Sequence, residues 1–182
     1  LDAITRMSNR YGADRDYVLA GGGNTSCKDE NFLYVKPSGV SLAAIKPENF
    51  VKMDRQAIRR IFEMAEITDR GTREAVVKKV MADAVSFDSS GRPSVEAPLH
   101  ELLGFRFVVH LHPSLVNGLM CAKQSQAETA RLFPGSLYVA FCDPGYKLAT
   151  VVGNAVMAYE KAHGAAPHLV FLENHGVFAA AD

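Results

Sequence analysis

The sequence predicts an α/β domain in which helices cover a largely antiparallel or mixed sheet. Three observations carry that reading. Short runs rich in β-branched and aromatic residues alternate with longer segments of helical period along the whole chain. Several strand-to-strand connections are short enough to be hairpins, which favours antiparallel pairing over a doubly wound arrangement. At 182 residues the chain fits one domain with a sizeable core, and it contains no internal repeat and no linker.

Taken in order, residues 2–11 carry an amphipathic helical pattern that stops near Gly12. Gly21-Gly22-Gly23 forms a turn, and Phe32 to Lys36 alternates as a strand into the break Pro37-Ser38-Gly39. A hairpin over 25–36, turning at Asp29-Glu30-Asn31, joins these two stretches. Residues 50–53 read as a short strand, after which Asp54 N-caps a helix running to about Ile67. Thr72 opens a second helix with Ala75, Val76, Val80 and Ala84 on one face. Residues 86–93 form a loop, and Ser94 caps a helix through Gly104, with Pro98 tolerated in its first turn. A strand over 105–112 follows, then helices over 113–122 and 124–132. Next come a strand over 138–141, a long helix over 147–162 and a buried strand over 168–172. The apolar run Val177 to Ala181 is expected to continue the strand that carries His175 and to be buried.

Twenty basic and twenty acidic residues cancel. There is therefore no electrostatic case for nucleic acid or an anionic membrane surface. No apolar run approaches the ~20 residues that span a bilayer, and no signal peptide is visible. Cys27, Cys121 and Cys142 are odd in number, widely spaced and without a Cys-x-x-Cys pair. Reduced, mostly buried thiols in a cytoplasmic protein are the expectation. The chain opens on Leu1 and stops a few residues past His175. It reads as one domain over 1–182, a piece of something longer, truncated at its C-terminal end.

The chemistry centres on histidine. His110 and His112 lie two apart in a strand-like run, and on a strand such side chains share one face roughly 7 Å apart. Two imidazoles there can converge on one ion, each nitrogen about 2.0–2.1 Å from zinc. His175, in Glu173-Asn174-His175-Gly176, follows a second apolar run and precedes a residue that permits a sharp turn. Three neutral nitrogens with an open fourth position are the arrangement of a catalytic zinc site. The blander alternative, strand histidines capping a sheet edge, is about as good for a His-x-His taken alone.

Glu96 stands at the start of a helix about a dozen residues before the histidine strand, where it can ligate a metal or exchange a proton. Taken alone it reads more readily as an ordinary acid beside a capping Ser94. His100, one helical turn later, either supports Glu96 or is a structural histidine. Gly21-Gly22-Gly23-Asn24, Pro37-Ser38-Gly39 and Ser94 each offer donors to an anion. No P-loop and no Gly-x-Gly-x-x-Gly pattern supports a nucleotide site. His163 and His168 flank a loop and are assigned no chemistry.

In order, Gly23-Asn24-Thr25-Ser26, Lys36-Pro37-Ser38-Gly39, Pro93-Ser94-Val95-Glu96, His110-Leu111-His112-Pro113 and Glu173-Asn174-His175-Gly176 resemble the class II aldolase/adducin family. That family includes fuculose-phosphate and rhamnulose-phosphate aldolases, ribulose-phosphate 4-epimerase and methylthioribulose-phosphate dehydratase. The resemblance covers nearly the whole chain. It implies a three-layer α/β/α domain, Zn2+ held by His110, His112 and His175, and Glu96 as the acid/base and a displaceable fourth ligand. It also implies a phosphate cradle from Gly23, Asn24, Ser38, Gly39 and Ser94, and a homotetramer with sites at subunit interfaces. The implied activity is cleavage of a ketose 1-phosphate, a deoxysugar phosphate such as fuculose or rhamnulose 1-phosphate, to dihydroxyacetone phosphate and an aldehyde. Dehydration or epimerisation of a sugar phosphate is the competing reading, and a catalytically silent adducin-like module is a third. The chain departs from the fuculose-phosphate pattern at Val95, where a second serine stands, and Tyr138 and Tyr146 are only positional counterparts of the tyrosine those aldolases use.

Overall fold

The computed structural model describes residues 1–64 and 67–182. Among them the order of elements is α1 (Asp2–Gly12), β1 (Asn24–Lys28), β2 (Phe32–Val35), β3 (Val51–Asp54), α2 (Arg55–Glu63) and α3 (Arg70–Asp83). There follow α4 (Ala97–Leu102), β4 (Phe107–Leu111), α5 (Ser114–Met120), α6 (Ser125–Leu132), β5 (Leu137–Val139), α7 (Tyr146–His163), β6 (Leu169–Leu172) and β7 (Gly176–Ala181). The strands form a seven-stranded sheet in the order β3-β2-β1-β4-β7-β6-β5. Only β5 and β6 run parallel; the remaining neighbours are antiparallel. This is the mixed, largely antiparallel sheet that the sequence predicts.

Side-chain alternation sends the sheet's apolar residues to two opposite faces. On one face Leu33, Val35, Val51 and Met53 meet Ile58 and Ile61 of α2 and Met81 of α3. Further along that face Val108, Val170, Leu172 and Phe178 meet Leu99 of α4 and Leu148, Val152 and Val156 of α7. On the other face Cys27, Val109 and Leu111 pack with Ile4 of α1 and with Leu42 and Ile45. The result is three layers, with the sheet between helices.

Local chemistry explains most element ends. The Asp29 carboxylate accepts from the backbone N–H of Asn31 and Phe32 at 2.9 and 2.7 Å, which closes the β1–β2 turn where the sequence places it. Asp54 caps α2 by accepting from Ala57 N at 2.8 Å, and Asp69 caps α3 through Thr72 N at 2.7 Å.

Five expectations need correction. The helix capped by Asp54 ends at Glu63 rather than near Ile67, and residues 65–66 of that span lie outside the described residues. The inward side of α3 is Val77, Val80, Met81 and Ala84, while Ala75 is exposed, so the helical phase is one residue off the expected one. The helix expected from Ser94 to Gly104 is shorter: Glu96 occupies its N-cap position and it ends at Leu102. Residues 176–181 do not continue the strand before His175; the chain reverses through 173–175 and β7 returns antiparallel between β6 and β4. Of the cysteines only Cys27 is buried, Cys121 being exposed and Cys142 half-buried. No helix among the described residues is long and apolar enough to cross a membrane.

Candidate metal centre and its acid

One end of the sheet gathers the chemistry. His110 is the penultimate residue of β4 and is fully buried, His112 lies just past the same strand, and His175 sits in the turn between β6 and β7. Because β7 pairs with β4, with His110 opposite Phe178, that turn is delivered beside the end of β4. Gly176 permits the approach: a Cβ there would lie 2.6 Å from the Leu111 carbonyl oxygen and 2.7 Å from Cδ2 of His112. On the other side β1 pairs Asn24 with His110. Gly23 enters that strand with φ +72°, where a Cβ would stand 3.0 Å from the His110 carbonyl oxygen. Both glycines are thus demanded by close backbone approach around the histidines.

The three rings point inward. One nitrogen from each of His110, His112 and His175 falls within 4.8 Å of the others, and Nε2 of His110 and Nε2 of His112 are 2.9 Å apart. His110 Nδ1 lies 3.1 Å from the Val177 carbonyl oxygen, so a ring N–H there donates and leaves Nε2 with a free lone pair. The same ring stacks on Phe178 with centroids 4.1 Å apart and an 18° interplanar angle. Burial, and then the neighbouring charges of His110 and His175, push His112 down to about 4, which keeps it neutral near pH 7. Three convergent imidazole nitrogens are the donor set a divalent transition metal takes, so the residues present fit such an ion.

Glu96 supplies the carboxylate. Its Oε1 is 3.1 Å from His175 Nε2 and 3.4 Å from His110 Nε2, and its Oε2 accepts from the side-chain amide of Asn24. Burial works to raise its pKa, but attraction to His110 and His175 outweighs that and holds the group well below the usual carboxylate range. The four side chains picked out by pattern therefore meet at one point, although they come from β4, the β6–β7 turn and the N-cap of α4.

The residues expected to cradle phosphate are partly assembled. Pro37 bridges Pro93, Ser38 N donates to Arg92 O at 2.9 Å, and Ser38 Oγ donates to Pro93 O at 3.2 Å. Ser94 Oγ accepts from Glu96 N at 3.2 Å, and Gly39 adopts φ +85° with open space around it. Ser38, Gly39 and Ser94 thus share one rim, while the Asn24 amide is turned to Glu96. A residue given no role in the sequence reading joins them. Lys36, only 2% exposed, has its Nζ 3.3 Å from Pro37 O and is attracted by Glu96, though burial lowers its pKa. The alternation of β2 does not announce it, because Lys36 follows the strand at the phase of the half-buried Phe32 and Tyr34 rather than of the buried Leu33 and Val35.

His100 does not reach Glu96 or the other histidines; its Nδ1 is 2.8 Å from Ser26 Oγ. His163 and His168 bond carbonyl oxygens of Tyr159 and Ala180. The Tyr138 hydroxyl is engaged with Ser125 at 2.7 Å. Beside Glu96 and His175 opens a cleft of about 240 Å³ walled by Val95, Leu99, Phe141 and Leu148.

Comparison with known proteins finds relatives over nearly the whole chain. The chain is 28% identical over 97% of its length to the "Uncharacterized oxidoreductase YuxG" of Bacillus subtilis, and it spans 26% of the length of that relative. The N-terminal class II aldolase domain of a conserved protein from Thermoplasma acidophilum superposes with a TM-score of 0.82 at 23% identity, covering all of this chain and 83% of that one. The L-fuculose-1-phosphate aldolase of Thermus thermophilus superposes with a TM-score of 0.59 at 17% identity, over 98% of this chain and 77% of its own. The family model described as the Class II Aldolase and Adducin N-terminal domain matches residues 3–182, and the chain belongs to that family.

Proposed function

We propose that this chain is a zinc-dependent aldolase that cleaves a ketose 1-phosphate to dihydroxyacetone phosphate and an aldehyde. The observation that carries the reading is the Glu96 carboxylate set 3.1 Å from His175 and 3.4 Å from His110, within the three-histidine cluster. Zinc held by His110, His112 and His175 would polarise the substrate carbonyl and stabilise the negative charge left when the carbon–carbon bond breaks. Glu96, displaced from the cluster by substrate, would exchange the proton at the carbon freed by that cleavage. Ser38, Gly39 and Ser94, on one rim with buried Lys36, would hold the phosphate, and Gly23 would keep the backbone open for Asn24. The apolar cleft of Val95, Leu99, Phe141 and Leu148 beside Glu96 suits the aldehyde half of a deoxysugar phosphate such as fuculose or rhamnulose 1-phosphate. We further read the protein as a cytoplasmic homotetramer.

The test is elemental analysis followed by assay. About one divalent metal per chain is expected, with most of it lost on changing His110, His112 or His175 to Ala. Purified protein with zinc should release dihydroxyacetone phosphate from fuculose or rhamnulose 1-phosphate, and Glu96→Gln should retain metal but not turnover. NMR of the products separates an aldolase, which alone changes carbon count, from a dehydratase or epimerase. Absence of any retro-aldol product with metal bound refutes the reading.

A further inference from the structure

Strand β1 is buried along its whole length, yet its residues are Asn, Thr, Ser, Cys and Lys. The side chains that face α4 are Asn24, Ser26 and Lys28, at the two-residue period of a strand. Each finds a polar partner on that helix. The Asn24 amide donates to the Glu96 carboxylate, Ser26 Oγ lies 2.8 Å from His100 Nδ1, and the Lys28 ammonium donates to the Leu103 carbonyl oxygen. Those partners stand at i, i+4 and i+7 of a helical stripe, the first at the N-cap of α4 and the last at its C-cap. On its far side α4 is tied by Glu101 to Arg55 at 2.9 Å and to Arg59 at 2.8 Å.

Apolar packing is non-directional and tolerates a shift of a helix along a sheet. Hydrogen bonds near 2.8 Å do not, because they weaken steeply with misalignment. His100 shows what the middle rung is for. Its ring is fully buried, and Nε2 finds no hydrogen-bond partner among the described residues. An apolar side chain of the same shape would avoid that cost. The histidine is retained for its Nδ1, and Nδ1 serves Ser26.

We propose that the β1–α4 interface is a polar rail that fixes Glu96 over the three-histidine cluster, with Ser26 and His100 as positioning residues that set its register. Neither touches the cluster; both act by holding the helix whose N-cap is Glu96. The proposal rests on the reading of Glu96 as the acid, but its first readout needs neither metal nor substrate.

That readout is the side-chain amide resonance of Asn24 in the labelled chain, which reports the Asn24–Glu96 hydrogen bond. Glu96→Gln sets the position of the resonance when the carboxylate is gone. Ser26→Ala and His100→Leu should each move it at least half of the way there. His100→Asn, whose side chain reaches where Nδ1 lies, should keep it near the wild-type position, and Val156→Ala in the α7 core should leave it unmoved. With zinc and a cleavable ketose phosphate, Ser26→Ala should lower kcat about tenfold to a hundredfold, the scale of a small misplacement, while KM and metal content stay within a factor of about two. An Asn24 resonance unchanged in folded Ser26→Ala and His100→Leu overturns the rail, as does a change equalled by Val156→Ala. A wild-type protein that turns over no ketose phosphate defeats the aldolase reading and leaves the resonance to decide this one.

Discussion

Strands β1 and β6 are both buried in the sheet, and they are held there by opposite means. In β6, Val170 and Leu172 pack into the core beneath α7, while Phe171 faces the other layer with its ring 4.8 Å from that of Phe133. None of these side chains has a directional partner to satisfy. In β1, Cys27 apart, the buried side chains are polar and each is answered by a particular atom: Asn24 by Glu96, Ser26 by His100, Lys28 by Leu103, and Thr25 by Ser8 at 2.7 Å. Apolar burial scales with area and accepts substitutes of similar volume. A polar pairing accepts almost none, because a lost partner leaves the other group unsatisfied. The stable half of the sheet and the chemically specific half are thus built from different interactions.

Four measurements break or sharpen that contrast. The largest effect should come from β6: Phe171→Ala should cost about 3–5 kcal/mol in urea unfolding, while the folded fraction keeps its full complement of metal. Loss of metal from folded protein would show that β6 also shapes the site and would erase the distinction.

The next concerns Lys28 and pH. Burial lowers its amine to about 8 from 10.5. Between those values the unfolded chain binds the proton and the folded chain does not, so stability rises with pH across the window and the penalty is complete below it. The gain amounts to roughly 3 kcal/mol at 1.36 kcal/mol per unit. Lys28→Met should lack this rise, and urea midpoints for the two proteins across the window should converge or cross accordingly. Parallel curves would mean that Lys28 titrates normally and β1 is less enclosed than it looks.

A smaller effect isolates one pairing. Ser8 Oγ donates to Ile4 O at 2.6 Å and takes the Thr25 hydroxyl as donor. Thr25→Val should therefore cost about 1–3 kcal/mol, and the double change with Ser8→Ala should cost less than the sum. The smallest should come from the rim. Arg59 is 54% exposed in its pair with Glu101, and Arg55 remains to hold that carboxylate, so Arg59→Ala should stay within about 1 kcal/mol.

The contrast also explains what can be read from the chain. Strands, the β1–β2 hairpin and the Asp54 cap are written in short-range patterns, and the sequence shows them directly. His110 and His112 are legible because a strand puts them on one face by itself. Their meeting with His175 and Glu96 depends on β7 pairing with β4 and on α4 starting three residues after Ser94, with Glu96 as its N-cap, neither of which has a local signature. The inward face of α3 differs from the expected one because Ala75, Val76 and Val77 leave its phase undetermined until α2 and β3 are in position. The Ser26–His100 pairing is invisible for the same reason: a serine in a strand and a histidine in a helix announce no partner, and only the packing of β1 beneath α4 joins them.

The position of β7 has a consequence for time rather than space. Among the described residues it comes after the other six strands in sequence, yet it lies between β4 and β6 with antiparallel pairs on both sides. A chain made from its N-terminus must therefore hold the edges of β4 and β6 apart and unpaired until residues 176–181 exist. Such distant pairing is slow, and open strand edges invite association with other chains. The histidine cluster cannot close earlier, since His175 arrives just ahead of that strand. A nascent chain paused before Gly176 should accordingly be unable to assemble the three-histidine cluster, and should depend on chaperones or dilution to stay single.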